Sequence, residues 1–386
     1  MFITIVIFVL VLSVLVLAHE AGHFFTARRF GVKAEEFGLG FPPRALGTYK
    51  NKHGKRLWVF GNKSVESLEE NTDENLRPAP KGTIYSINWL PLGGFVKIKG
   101  ENGEGKDDKD SFAAQKIWQR VIILSAGVIM NVILAWLLFS VGYLIGLPQS
   151  TDTVAKNAIL SEPKVMVAQV MAGSPAESAG LKEGDAILRI NNETVATEKA
   201  LQDAVAQNAN QAATLLVKRE SQELSLTVTP VVSDGGRATI GVAIYAAGLV
   251  RYPFFSALIE GAKTTGWMLK EIVVAFAGLF QNIFTGHKVG DQFAGPVGIA
   301  TITGQAARLG FTYLLQFTAL LSLNLAVINI LPLPALDGGR IFFLLIEKIK
   351  GKPVKRDIEA IIHNVGFMLL IALILFITYR DIIKLF

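Results

Sequence analysis

His19, Glu20 and His23 form a His-Glu-x-x-His pattern inside an otherwise uncharged apolar run from Phe2 to Ala27. On a helix the two histidines lie one turn apart on the same face, so both imidazoles can reach a single metal. Glu20 stands beside them, placed to handle a water at that metal. The chemistry predicted is zinc-assisted hydrolysis. A charged group near the centre of a membrane helix costs roughly 2.5 to 3.5 kcal/mol, and ionisable residues there are usually functional. Three within five residues argue for a site.

A second unusual stretch runs from Asn324 to Arg340, where two prolines and two glycines interrupt an apolar segment. Such a break is tolerated at membrane depth only where the freed backbone faces protein or water. Asp337 lies at the break and is the natural third zinc ligand. Its competing reading is a helix-capping aspartate. The rival ligand is His363, near the start of the last apolar segment, whereas His53 and His287 fall in loops and look incidental.

The surrounding chain must hold these groups in a bilayer. Of its 386 residues 51% are hydrophobic and 18% charged, against about 25% charged in a typical soluble domain. The net charge of +6 does not require nucleic acid, because Lys and Arg cluster beside apolar segments as cytoplasmic loops do. There is no cysteine, which excludes disulfides, a thiolate zinc site and thiol catalysis. The start Met-Phe-Ile lacks a basic region, so a cleaved signal peptide is not expected.

The first helix, residues 1–30, is roughly 40 Å long, enough to span with some tilt. Arg28, Arg29 and Lys33 place its end in the cytoplasm, with the metal motif in the cytoplasmic half of the membrane. In the loop region 31–115, residues 37–43 are too rich in Gly and Pro for a helix, and residues 66–75 read as an acidic surface loop. Residues 83–100 read as a hairpin around Pro91-Leu92-Gly93-Gly94, able to dip into the protein and offer an edge to an extended peptide, or simply to pack.

A second span covers 116–148. Asn131 within it is a helix–helix hydrogen bond or a site residue, with packing preferred. Residues 160–235 form a soluble α+β domain outside the membrane, and the stretch 172–191 looks like a bacterial PDZ domain. Residues 252–285 carry helical apolar spacing broken by charges, the pattern of a helix lying on the membrane. A third, broken span covers 310–348 and a fourth 358–382. The fold expected is a polytopic α-helical membrane protein with about four transmembrane helices, a membrane-reentrant β-hairpin and one inserted PDZ-like domain. Both termini would then be extracytoplasmic.

The ordered set of His19-Glu20-x-x-His23, a Gly-Gly hairpin, a PDZ-like insertion and Asn329-x-x-Pro332 leading into Leu336-Asp337-Gly338 resembles the site-two protease family, of the bacterial RseP and RasP type. The resemblance covers nearly the whole chain. It implies an intramembrane zinc metalloendopeptidase of the bacterial inner membrane, with His19, His23 and Asp337 as Zn2+ ligands and Glu20 as the catalytic carboxylate. It further implies that Asn324 and Asn329 contact the substrate backbone. Residues 83–100 would be the family's re-entrant β-loop, with Gly93, Gly94 and Phe95 among its substrate-contacting residues. Substrates would be single-span membrane proteins, such as anti-sigma factors or remnant signal peptides, trimmed beforehand on their outer side. The PDZ-like domain would bind a peptide tail or act as a size filter. Many Gram-negative members carry two PDZ domains, and this chain has room for one. A membrane metal transporter and a non-proteolytic PDZ scaffold are the alternatives. The first lacks inverted repeats here, and the second would not need Glu20 or Asp337.

Overall fold

The computed structural model describes residues 2–50, 55–61, 82–150, 157–219, 222–232, 236–286 and 295–383. The acidic stretch 66–75, His53 and His287 lie outside these residues. In chain order α1 (Phe2–Arg29) is followed by β1 (Ala34–Lys50), β2 (Arg56–Phe60), β3 (Ile84–Ile98) and α2 (Ile117–Ile145). Next come β4 (Leu147–Ser150), β5 (Ile159–Val170), the short α3 (Pro175–Ser178), β6 (Ala186–Ile190), β7 (Glu193–Thr194) and α4 (Glu198–Gln207). Then follow β8 (Ala213–Arg219), β9 (Gln222–Val228), β10 (Val231–Val232), β11 (Ala238–Thr239) and β12 (Val242–Arg251). The described chain finishes with α5 (Phe254–Phe284), α6 (Pro296–Leu309), α7 (Phe311–Ile330), α8 (Asp337–Lys350) and α9 (Arg356–Ile383).

Two compact units result. One comprises Met1–Leu137, Lys263–Gln305 and Phe317–Phe386, the other Leu138–Ala262 and Ala306–Gln316. Among the described residues α1, α2, α7 and α9 are long and apolar enough to cross a membrane. The charged α5 does not meet that standard, and α6 is a separate helix that its own sequence did not announce.

In α1 the buried side chains Val11, Leu15, His19, His23 and Ala27 recur every fourth residue, so the two histidines belong to the stripe that packs inward. The stripe meets α2 closely. A Cβ on Gly22 would lie 2.2 Å from the Ala126 carbonyl oxygen, so the two backbones touch where only glycine fits. Beyond the helix end, Ala27, Val32, Ile98, Phe112, Ile123, Leu124 and Leu344 form one apolar cluster that ties α1, α2, β3 and α8 together.

The first sheet corrects an expectation. Residues 83–100 do not pair with themselves as a hairpin. Instead both arms of the bent β3 pair with β1, so that Gly38 is opposite Phe95 in one arm and Ser86 in the other. The Gly- and Pro-rich stretch 37–43 is therefore strand rather than loop. Its glycines explain why: a Cβ on Gly38 would come within 2.6 Å of both the Phe95 ring and Ser86 Oγ, and one on Gly40, at φ +82°, within 2.5 Å of the Leu90 carbonyl oxygen. The small residues let a long strand run between the two arms.

The second unit holds a sheet in the order β4-β12-β5-β6-β8-β9, with β7 on β6. Alternate residues of β8, Ala213, Leu215 and Val217, are fully buried, the period-two signature of a strand with one covered face. α4 covers that face with Leu201, Ala204 and Val205, and its N-cap Thr197 accepts a hydrogen bond from the Ala200 N–H. β12, beyond the expected limit of residue 235, is the second strand of this sheet. β12 also meets α4, where Glu198 Oε1 accepts from the Ala246 N–H at 3.0 Å.

Candidate metal centre

Three side chains from two distant parts of the chain meet in the first unit. His19 Nε2 lies 3.0 Å from Asp337 Oδ2, His23 Nε2 lies 3.4 Å from the same oxygen, and the two Nε2 atoms are 3.2 Å apart. Donors at about 2.0–2.1 Å from a tetrahedral zinc would stand about 3.3 Å from one another, so the spacing suits that ion. The donor chemistry agrees. Asp337 Oδ2 is buried without a hydrogen-bond partner, so three lone-pair groups face one another with no proton donor between them, a costly arrangement unless a cation joins them. Among the described residues this is the group of three able to hold a metal ion.

Each donor is aimed by its surroundings. The N–H at His23 Nδ1 donates to the Ile123 carbonyl at 2.8 Å, which leaves Nε2 with its lone pair toward the centre. Asn131 on α2, wholly buried, sits with its amide 3.4 Å from His19 Nδ1. A His19 that offers Nε2 to a metal carries its proton on Nδ1; Asn131 Nδ2 stands there while its Oδ1 has no partner, and exchanging the two ends of the amide sets the oxygen to accept that proton. For Asn131 the sequence left open a helix–helix hydrogen bond and a site role, with packing preferred, and its place beside His19 joins the two. It packs between helices, its backbone carbonyl accepting from Ser322 Oγ on α7 at 2.8 Å, and its side chain stands against a ligand. Gly127, one turn earlier on α2, leaves room for both rings: a Cβ there would lie 2.4 Å from His23 Nε2 and 2.7 Å from His19 Cε1.

Asp337 opens α8 after the break 331–336. It is not the cap of that helix; Leu336 holds the cap position without a side-chain bond. The turn depends on close backbone contacts. A Cβ on Gly338 would meet the Ile330 carbonyl oxygen at 2.2 Å, and one on Gly339 the Leu333 carbonyl oxygen at 2.2 Å. Ala335 takes the left-handed φ of +71°, and its N–H donates to His363 Nδ1 at 2.9 Å. His363, the rival ligand, is therefore not in the donor cluster. It braces the turn from α9, and Gly366 one turn on lets α9 approach Pro334, where a Cβ would sit at 2.2 Å. Arg340 anchors the same helix to Glu101 at 2.5 Å.

Glu20 lies between the two histidines and is only partly buried. Its Oε2 accepts a hydrogen bond from the Val96 N–H of β3 at 3.1 Å, so β3 passes directly beside the centre. Gly93, at φ +91°, and Gly94 are buried against α1: a Cβ on the first would reach Val16 at 2.8 Å, and on the second the Gly38 carbonyl oxygen at 3.0 Å and Leu17 at 3.2 Å. Phe95 covers Gly38. Asn324 turns back to its own helix, donating to the Leu320 carbonyl at 2.9 Å, and Asn329 is half-buried near the end of α7. Neither asparagine belongs to the donor cluster.

A family model described as Peptidase family M50 matches residues 7–62 and 76–373. The chain is similar to the regulator of sigma-W protease RasP of Bacillus subtilis, 32% identical with 99% of both chains covered. It is 30% identical to the zinc metalloprotease RasP of Bacillus licheniformis, again over 99% of both. To the zinc metalloprotease RasP of Geobacillus kaustophilus it is 29% identical, over 99% of this chain and 98% of the relative. Among solved structures, the PDZ domain of the SdrC-like protein Lin2157 from Listeria innocua aligns with 21% of this chain and 92% of that domain at 18% identity, with a TM-score of 0.20.

Proposed function

Because the chain belongs to peptidase family M50, we propose that it is an intramembrane zinc metalloendopeptidase that cuts single-span membrane proteins within or near their membrane segments. The observation that carries this reading is the convergence of His19, His23 and Asp337 donor atoms at 3.0–3.4 Å with Glu20 alongside. The two histidines and the aspartate are the ligands, and Zn2+ when bound supplies a Lewis acid that brings the pKa of water to about 7 and polarises a peptide carbonyl. Glu20 takes the proton of the attacking water and passes a proton to the departing amine. The Ile123 carbonyl keeps His23 Nε2 free, and Asn131, with its amide oxygen turned to Nδ1, does the same for His19.

A helical substrate hides its carbonyls in its own hydrogen bonds, so the site has to accept it unwound. The β3 arm containing Gly93, Gly94, Phe95 and Val96 is the edge on which an extended substrate lies, and Asn324 and Asn329 take up substrate backbone groups that unwinding leaves unpaired. Gly93 and Gly94 bring that edge against α1, within reach of Glu20. Arg28 and Arg29 at the end of α1 favour a cytoplasmic position for that end, which sets the active site in the cytoplasmic half and the PDZ-like domain outside. There the domain excludes substrates whose outer part is intact. Anti-sigma factors and remnant signal peptides are substrates of the right kind.

The test is cleavage of a single-span model substrate, shortened on its outer side, by purified protein in detergent. Wild type should cut and Glu20→Gln should not, with one zinc bound to each. Failure of wild type to cut several such substrates while holding zinc would refute the protease reading.

A further inference from the structure

A cavity of about 790 Å³ opens beside the C-terminal end of α1. Its lining includes Arg28, Lys33, Lys50 and Arg56 and no carboxylate among the described residues. The carboxylates at the start of β1 are engaged elsewhere: Glu35 with Lys97 at 2.8 Å, and Glu36 with Arg44, whose Nε donates at 2.8 Å. Thr48, also in the lining, has its hydroxyl oxygen buried without a hydrogen-bond partner. Four cations around one hollow are the recognition chemistry of a phosphate.

Exposed aromatic side chains stand next to this lining on β2 and β3. Arg56, Trp58 and Phe60 alternate along β2 and so share a face. Trp58 is 62% and Phe60 69% exposed, and Tyr85 of the lining is exposed as well. Large exposed aromatic rings beside cations at the end of a spanning helix belong at the headgroup level of a bilayer, and basic hollows at that level bind anionic lipid headgroups.

We propose that this cavity binds the phosphate headgroup of an anionic phospholipid of the cytoplasmic leaflet, its acyl chains lying along Trp58 and Phe60. The proposal rests on the reading that α1 crosses the membrane with Arg28 at its cytoplasmic end. The cavity is lined mainly by β1, with Arg56 from β2, and it touches α1 through Arg28 and β3 through Tyr85, the elements that also carry the metal motif and the substrate edge, so a bound headgroup fixes the depth at which both sit.

The experiment uses the full chain in nonionic detergent, titrated with dihexanoyl phosphatidylglycerol, dihexanoyl phosphatidylcholine or inorganic phosphate and read by native mass spectrometry. Wild type should bind the anionic lipid at least tenfold more tightly than the zwitterionic one. The double variant Lys50→Gln/Arg56→Gln should bind it about 25-fold more weakly, about fivefold per cation, with unchanged zinc content and unchanged cleavage of a model substrate in detergent. Equal binding of both lipids, or equal binding by wild type and double variant, overturns the proposal. Phosphate binding as tight as the lipid's assigns the cavity to a free phosphate and overturns it too. So does lipid binding that appears only when Glu66, Glu69, Glu70, Asp73 and Glu74 are replaced by glutamine, which would make the chain's own acidic stretch the competitor. Lipid binding without proteolysis by wild type would count against the protease reading and leave this site standing.

Discussion

The geometry around Gly127 yields a sharp test of the metal centre. In Gly127→Ala the new Cβ would lie 2.4 Å from His23 Nε2 and 2.7 Å from His19 Cε1. Ordinary van der Waals contact begins near 3.4 Å, so the rings must withdraw by about 1 Å. They cannot do so freely, because His23 Nδ1 is held by the Ile123 carbonyl and the backbones already touch at Gly22. A displacement of about 1 Å at reacting groups costs on the order of 100-fold in rate, or about 2.7 kcal/mol of barrier. The substitution itself favours the helix, since alanine is about 1 kcal/mol better than glycine in a helix interior. Loss of function here therefore cannot be blamed on a weaker helix. Zinc per chain and the cleavage rate in detergent are the readouts, with Gly266→Ala and Gly278→Ala as controls, since a Cβ at either meets nothing within 4 Å. Gly127→Ala should lose at least about 100-fold in rate and bind zinc less well, while the controls stay near wild type. A Gly127→Ala protein with full zinc and a rate within about threefold of wild type would show that the two rings do not face α2 in this way.

Other residues give further tests. Asn131→Ala should weaken zinc binding by about 10- to 100-fold, whereas Asn131→Asp, which keeps an acceptor beside His19 Nδ1, should retain most of it; equal losses would exclude the acceptor role. His363→Ala removes the acceptor for the Ala335 N–H, a bond of about 1 kcal/mol. Zinc affinity should fall about fivefold, and an unchanged affinity would mean that the turn holds Asp337 unaided. Lys99, in the loop after β3, pairs with Asp110 at 2.7 Å and holds its carboxyl below the ordinary carboxylate range. The stabilisation is complete above the unfolded aspartate value and is lost as pH falls through the lower folded value. Asp110→Asn should therefore flatten the acid limb of the melting temperature against pH, and superimposable limbs for the two proteins would refute the pairing.

What could be read from the sequence was mostly local. The histidines and Glu20 announce themselves because i and i+4 share a helical face, and Asp337 because prolines and glycines mark the break it closes. Asn131 could be recognised only as a buried polar residue, since its meaning depends on which nitrogen of His19 it meets 112 residues away. Its spacing of four from Gly127 was the available signal: a small residue and an amide on one face of an apolar helix. His363 stayed open as a rival ligand for a related reason, as its partner is a backbone N–H placed only once Ala335 adopts positive φ. The long strand β1 was hidden because glycines that normally weaken a strand here admit the two arms of β3, a pairing that no local pattern encodes. β12 escaped the expected domain limits because its partners, β5 and β4, are separated from it by most of the unit.

The hydrogen bond between Glu20 and the Val96 N–H works as an interlock. The carboxylate assigned to move protons is parked on the strand edge assigned to receive the substrate. A guest strand that takes the Val96 N–H takes it from Glu20, so filling the edge and releasing the base are one event. Water in a vacant site meets a carboxylate with one oxygen already accepting a hydrogen bond.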